Sequence, residues 1–81
     1  MANSTIKSLL KYEDLTCTVG SNSYYGFYYG DLPITKRNNV AFVVLNATSN
    51  HPAMVQLMDD TNLRFNAGKA NTTITVRRWY I

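Results

Sequence analysis

The feature that most constrains this chain is an alternation of apolar and polar residues with a period of two. It starts at Leu15-Thr16-Cys17-Thr18-Val19, where Leu15, Cys17 and Val19 share one face. Clusters of turn-forming residues interrupt the alternation at intervals of about ten residues, a spacing typical of all-β domains. We therefore predict an all-β, antiparallel β-sandwich or jelly-roll-like domain of about seven short strands.

The expected strands are residues 15–19, 24–29, 32–35, 40–45, 53–58, 63–66 and 72–81. In the last two, Leu63 and Phe65 point inward, and Ile74 and Val76 share a face. The strand at residues 40–45 is apolar on both faces. Such a strand is expected to be covered on both sides or to lie at a subunit interface.

The first fourteen residues differ from the rest, which gives an N-terminal arm or short helix over residues 1–14 and a head domain over 15–81. Ser4 or Thr5 is a possible helix cap, and Ile6, Leu9 and Leu10 have helical spacing. A helix this short needs a packing partner in order to persist in water. A packed helix, a stalk remnant and a poorly ordered terminus are all compatible with this segment.

The alternation is disturbed near the C-terminus by two consecutive arginines. Strict alternation places Arg78 on the core face with Ile74, Val76 and Tyr80. We expect a β-bulge at Arg77-Arg78 to resolve this conflict, or else an arginine that pairs across a subunit boundary.

Size and composition favour self-association. A single domain of 81 residues is marginally stable, and one cysteine and one histidine exclude an internal disulfide and an ordinary zinc site. We expect no metal and no cofactor. Asn, Thr and Ser supply 23 residues while only 16% of the chain is charged. Such a hydrated but weakly charged surface suits a secreted or particle-borne β-protein better than a cytosolic helical one.

Several function classes receive little support. His51 lies in a turn-forming segment, Cys17 alternates with core residues, and the paired carboxylates are sequence neighbours that diverge on a strand. We expect no catalytic residues and no enzyme activity. The basic residues are scattered, which disfavours nucleic-acid binding, and no apolar stretch approaches the roughly 20 residues of a membrane helix.

An aromatic cluster is the best candidate for a binding site. Five aromatic residues surround Gly26, and on one continuous strand Tyr24 and Tyr28 would share a face opposite Tyr25, Phe27 and Tyr29. One face must then lie outside the core, where tyrosine suits either a subunit interface or the C–H face of a sugar ring. Trp79 either anchors the last strand or lines a groove. The candidate ligand-binding residues are Tyr24, Tyr25, Tyr28, Tyr29, Trp79, Arg64 and Arg77.

The layout of the chain resembles the C-terminal head domains of tail-fibre and tail-tip proteins from phages and prophages. The resemblance lies in a lead-in at Lys7 to Asp14, the Leu15–Val19 strand, Leu32-Pro33-Ile34, the doubly apolar Val40–Leu45 strand, and closing hairpins that end at Thr75–Ile81. It covers nearly the whole chain, but at the level of layout and texture, without a diagnostic motif. The His-x-His repeat on the axis of some fibre tips is absent from the sequence.

The resemblance implies a non-enzymatic, homotrimeric receptor-binding domain that recognises host cell-surface glycan. It also implies a location in a virion or phage-tail-like particle after synthesis in the bacterial cytoplasm. Candidate oligomer-interface residues are Phe42, Val44, Met54, Met58 and Phe27. Two alternatives remain open: a purely structural oligomerisation or capping module, and a small β-barrel nucleic-acid binder.

Overall fold

A computed structural model describes residues 9–81 of the chain. These residues form seven strands, so the all-β prediction is confirmed. The strands are β1 (Lys11–Thr18), β2 (Ser23–Tyr24), β3 (Phe27–Pro33), β4 (Asn39–Ala47), β5 (Ala53–Asp59), β6 (Asn62–Ala67) and β7 (Thr73–Tyr80).

The strands form two antiparallel sheets, as expected of a sandwich. The first, called sheet A, has the order β1-β7-β4, and the second, sheet B, has the order β2-β3-β6-β5. The central strands β6 and β7 bury every second residue, which is the pattern of a strand with one face on a core and one face outward.

The core is small and lies between the two central strands. Its buried apolar side chains are Val19, Ile34, Leu63, Phe65, Ala67, Ile74 and Val76. Leu63 and Phe65 come from β6, and Ile74 and Val76 from β7, as the alternation predicts. Partly buried side chains from β1, β3, β4 and β5 pack around this centre.

The first strand begins earlier than expected. β1 starts at Lys11, so residues 11–14 of the expected N-terminal arm are strand. They pair with β7, with Tyr12 opposite Trp79 and Asp14 opposite Arg77. The sequence pattern did not reveal this part of the strand, because residues 11–14 include charged side chains, which face outward or pair with arginines. The expected helix at the N-terminus falls mainly on residues 1–8, which lie outside the described residues.

The aromatic cluster is a hairpin rather than one strand, which corrects the expected sharing of faces. Tyr25 and Gly26 have φ values of 51° and 82° and form the two-residue turn between β2 and β3. Tyr24 therefore lies opposite Phe27 across the hairpin. As a result, Tyr24 shares a face with Phe27 and Tyr29, while Tyr28 points to the other face and packs against the core.

The strand that is apolar on both faces is also less buried than its composition suggested. β4 is an edge strand of sheet A, and most of its side chains are exposed, so its two faces are not both covered within the chain. Its register against β7 shifts twice, between Asn39 and Ala41 and between Val44 and Asn46. Val40 and Leu45 are the additional residues at these two bulges, and both are exposed.

The bulge expected at Arg77-Arg78 is wrong. β7 pairs with β1 in unbroken register, so Arg78 does lie on the inner face. It is fully buried, and its guanidinium donates to Asn39 Oδ1 at 2.7 Å, Glu13 Oε1 at 2.9 Å and the Thr35 carbonyl oxygen at 2.6 Å. Hydrogen bonds within the chain thus satisfy the charge, and the irregularity falls on β4 instead.

Candidate functional site

An open groove of about 340 Å³ runs along the outer face of sheet B. The outward side chains of β6 form its floor, between the β2–β3 hairpin on one side and β5 on the other. The volume lies near the lower end of the roughly 300–1,000 Å³ usual for small-molecule sites. The lining residues are Tyr24, Tyr25, Phe27, Tyr29, Met54, Gln56, Met58, Arg64 and Asn66.

One side of the groove is aromatic. The hairpin turn holds the rings of Tyr24 and Tyr25 edge to face, with centroids 4.4 Å apart. Tyr24 is 64% exposed and Tyr25 is 87% exposed, so neither ring is used to fill the core. Phe27 and Tyr29 continue this side along β3. The hairpin therefore presents large, stiff rings to solvent at the mouth of the groove.

The floor carries a neutralised ion pair. Arg64 of β6 donates to both carboxylate oxygens of Asp31 on β3, at 2.7 and 3.0 Å. Its guanidinium also lies over the Tyr29 ring, 4.7 Å from the centroid. The hydrogen bonds from Arg64 hold the pKa of Asp31 below its usual range, so the pair stays ionised at neutral pH. The groove thus has polar groups but little net charge.

A buried acceptor lies on the same floor. Asn66 Oδ1 is inaccessible to water and has no hydrogen-bond donor among residues 9–81. Gln56 adds a second side-chain amide, and Met54 and Met58 complete the β5 side with flexible apolar surface. The groove thus combines apolar walls with two amide groups.

The outer face of sheet A has a related arrangement of charged and aromatic side chains. Arg77 donates to both carboxylate oxygens of Asp14, at 2.8 and 3.0 Å, and lies 4.3 Å from the Tyr12 ring centroid. Tyr12 in turn packs on Trp79, with centroids 4.8 Å apart. Farther along, the hydroxyl pairs Thr16–Thr75 and Thr18–Thr73 are 3.2 and 2.8 Å apart.

The predicted ligand-binding residues therefore divide among three places. Tyr24, Tyr25, Tyr29 and Arg64 line the groove on sheet B. Arg77 and Trp79 lie together on the opposite side of the sandwich, on the outer face of sheet A. Tyr28 packs against the core. Four of the seven candidates thus belong to one site, and the other three do not.

The predicted interface residues do not form one surface either. Phe27, Met54 and Met58 line the groove on sheet B. Phe42 and Val44 lie on β4 in sheet A, opposite Arg78 and Val76, and Phe42 packs against the core. Val44 is 39% exposed because the sandwich is open at this edge.

Sequence reasoning missed Asp31, Gln56 and Asn66. The alternation already pointed Asn66 outward with Arg64, and Gln56 outward with the methionines. What it lacked was the strand order β3-β6-β5, which places these side chains side by side. Tyr24 lies on the opposite face from the one expected. The Tyr25-Gly26 pair could have indicated this, since glycine at the second position of a two-residue turn favours a hairpin.

The other reactive side chains do not gather into a site. His51 is exposed in the loop between β4 and β5, where its backbone N–H donates to the Ser49 hydroxyl at 3.4 Å. Cys17 packs against the core, and burial is the main cause that raises the pKa of its thiol. In residues 9–81 no three His, Cys, Asp or Glu side chains lie close enough to hold a metal ion. The same part of the chain contains no helix long and apolar enough to cross a membrane.

Comparisons of the chain with protein-family models, with curated proteins and with solved structures give no match. The functional interpretation therefore rests on the geometry of the groove itself.

Proposed function

We propose that this protein is a non-enzymatic binding domain that recognises saccharide in the groove on sheet B. The observation that carries the proposal is the conformation of Tyr25. Positive φ is uncommon for a bulky residue, and a turn of this kind favours Asn, Asp or Gly at the same position. The Tyr25 ring is 87% exposed, so core packing does not account for its presence. Unfavourable backbone conformations of this kind concentrate at functional sites.

The chemistry of the groove suits a neutral, hydroxyl-rich ligand. Tyrosine rings offer flat apolar faces for the C–H side of a sugar ring, and their hydroxyls remain available at the rim. The side-chain amide of Gln56 donates and accepts hydrogen bonds, which matches vicinal hydroxyls. Because Arg64 and Asp31 neutralise each other, a strongly charged ligand finds no free opposite charge among the described floor residues.

The wider setting of this function is a further part of the proposal. The resemblance to phage tail-fibre heads supports a receptor-binding tip that recognises host cell-surface glycan as part of a virion. Homotrimeric assembly stays a prediction of that resemblance. A monovalent groove of this size makes few contacts, so linked copies would gain useful avidity on a surface that displays many glycans.

The test is monovalent binding of short oligosaccharides, screened on a glycan array and then titrated calorimetrically with the array's best ligand. Tyr25→Asn should retain the turn and abolish detectable binding, and Tyr25→Phe, which keeps the ring, should bind within a few fold of the wild type. Tyr12→Ala is the matched control, because it removes an exposed tyrosine from the opposite sheet. If the wild type and Tyr25→Asn bound the oligosaccharide with equal affinity, the groove would not be the binding site.

A structural assembly module is the second candidate. It is favoured by exposed apolar residues on β4, among them Val40, Val43 and Leu45. Under this alternative the glycan screen stays empty while the protein still associates. Salt-sensitive binding to single-stranded DNA would instead favour the nucleic-acid alternative.

A further inference from the structure

The edge strand β4 of sheet A carries several exposed apolar residues. The register of β4 against β7 places Ala41 and Val43 on the outer face of this sheet, opposite Trp79 and Arg77. The two bulges make Val40, next to Ala41, and Leu45, next to Asn46, additional residues of the strand. Val40, Val43 and Leu45 are 55%, 45% and 46% exposed. We call these three residues the β4 stripe.

The rest of the face complements the stripe. Tyr12 and Trp79 stack beside its Val40 end, and the two threonine pairs provide short hydroxyl side chains toward the other end. Charge on this face is carried by Asp14 and Arg77, which pair with each other in a two-point hydrogen bond. A flat sheet surface with matched charges can therefore approach another sheet without leaving an unpaired ion buried.

The exposed apolar area is large for so small a domain. The β4 stripe and Tyr12 (53% exposed) leave on the order of 400 Å² of side-chain surface in contact with water. A stable interface buries about 800 Å² on each partner. Trp79, Ala41 and the threonine pairs adjoin this surface and add to the area that a covering sheet would bury.

We propose that the outer face of sheet A is covered by the same face of a second copy of this chain, related by a two-fold axis. Sheets pack face to face about 10 Å apart, and one sheet face accepts one covering sheet. The exposed apolar residues of sheet A form one patch, and an interface in which both partners use the same patch closes as a dimer. This dimer is an alternative to the homotrimer that the resemblance to tail-fibre heads implies, because a three-fold assembly uses two different patches on each copy.

This arrangement leaves the groove free. The groove lies on the outer face of sheet B, and the proposed interface lies on the outer face of sheet A, so the sandwich separates them. The two grooves of a dimer then face away from each other on opposite sides. The inference does not depend on what the groove binds.

Sedimentation equilibrium of the 81-residue chain tests the proposal. The wild type should have twice the 9.2 kDa chain mass, and Val43→Lys, which places a charge in the middle of the patch, should lower the mass to that of one chain. Met54→Lys is the matched control, because Met54 is 43% exposed on the edge strand of the other sheet. It should remain dimeric. Far-UV circular dichroism shows whether each variant is folded.

A second measurement needs no substitution. Trp79 is the single tryptophan of the chain and lies on the proposed interface. Its fluorescence emission should shift to longer wavelength on dilution, over the same concentration range in which the mass falls. A wild-type monomer, a trimer, a Val43→Lys dimer, a Met54→Lys monomer, or Trp79 emission that does not change on dissociation would each overturn the two-fold pairing.

Discussion

Arg78 shows how a single residue that breaks a pattern can be the most informative one. A charge on the core face of a strand is costly unless it is paired and hydrogen-bonded. Here three acceptors, from β1, β4 and the segment after β3, surround the guanidinium at 2.6–2.9 Å. The Tyr80 ring lies 5.3 Å from it. Arg78 therefore connects both edges of sheet A with the end of a strand in sheet B.

Replacement of Arg78 should be strongly destabilising. Arg78→Ala leaves Asn39 and Glu13 without their donor and opens a cavity at one end of the core, which should lower the free energy of unfolding by about 3–5 kcal/mol. Urea unfolding followed by circular dichroism measures this change. Arg77→Ala is the control, because Arg77 pairs with Asp14 near solvent. A loss for Arg78→Ala no larger than the loss for Arg77→Ala would contradict the structural role of Arg78.

Three carboxylates make stability depend on acid pH. Hydrogen bonds from Arg77 and from Arg64 lower the pKa values of Asp14 and Asp31, and the Thr61 backbone N–H does the same for Asp59. In the unfolded chain these groups have pKa values near 3.9. The unfolded state therefore binds more protons at acid pH, and folding is favoured less as the pH falls.

The free energy of unfolding should accordingly be constant above about pH 5 and should decrease as the pH falls through the lowered pKa values. A series of urea titrations between neutral and acid pH measures the profile. The double variant Asp14→Asn with Asp31→Asn should have a free energy of unfolding that falls less steeply at acid pH, because two of the three carboxylates with lowered pKa values are gone. An unchanged slope at acid pH in this double variant would show that the arginine pairs do not cause it.

At the scale of elements, the β2–β3 hairpin combines an unfavourable backbone conformation with exposed tyrosine rings, which we propose bind saccharide. Its turn places Tyr25 at φ 51°, where Asn is far better tolerated. Tyr25→Asn should therefore raise the free energy of unfolding by about 1 kcal/mol while it removes saccharide binding. Thermal and urea unfolding measure the first effect. A variant that is less stable than the wild type would show that the Tyr25 ring is needed for packing.

Strands were predictable from the sequence where one face is buried and the other is solvated. The alternation in β6 and β7 identified Leu63, Phe65, Ile74 and Val76 as core residues because the buried side of a central strand tolerates little else. β4 was harder. Its apolar run indicated coverage on both sides, but composition cannot tell an edge strand with two bulges from a central strand.

The candidate site was predictable only in part for a similar reason. Single-strand patterns identified outward-facing residues such as Arg64, but a site also depends on which strands are neighbours. The pairing of β3, β6 and β5 joins Asp31 to Arg64 and Gln56 to the same surface. Those contacts are long-range in sequence, so no local periodicity contains them.

At the scale of the whole molecule, the small thickness of the fold explains why so many apolar side chains are exposed. The Cα atoms span 47 × 24 × 17 Å, the proportions of a two-layer slab. Such a slab encloses few side chains, so large apolar residues remain on the outer faces of both sheets. The two outer faces differ: one has an aromatic groove whose floor holds the Arg64–Asp31 pair, and the other has exposed apolar residues on β4 beside the Arg77–Asp14 pair. We propose ligand binding for the first and self-association for the second.

The most direct test of this assignment is a nuclear magnetic resonance titration of the isotope-labelled 81-residue chain with the best oligosaccharide from the array. We predict large shift changes for the Tyr25 backbone amide and the side-chain amides of Gln56 and Asn66, with no change for the Trp79 indole on the opposite face. Changes that cluster at Trp79 and Tyr12 and leave the groove amides unaffected would contradict the account.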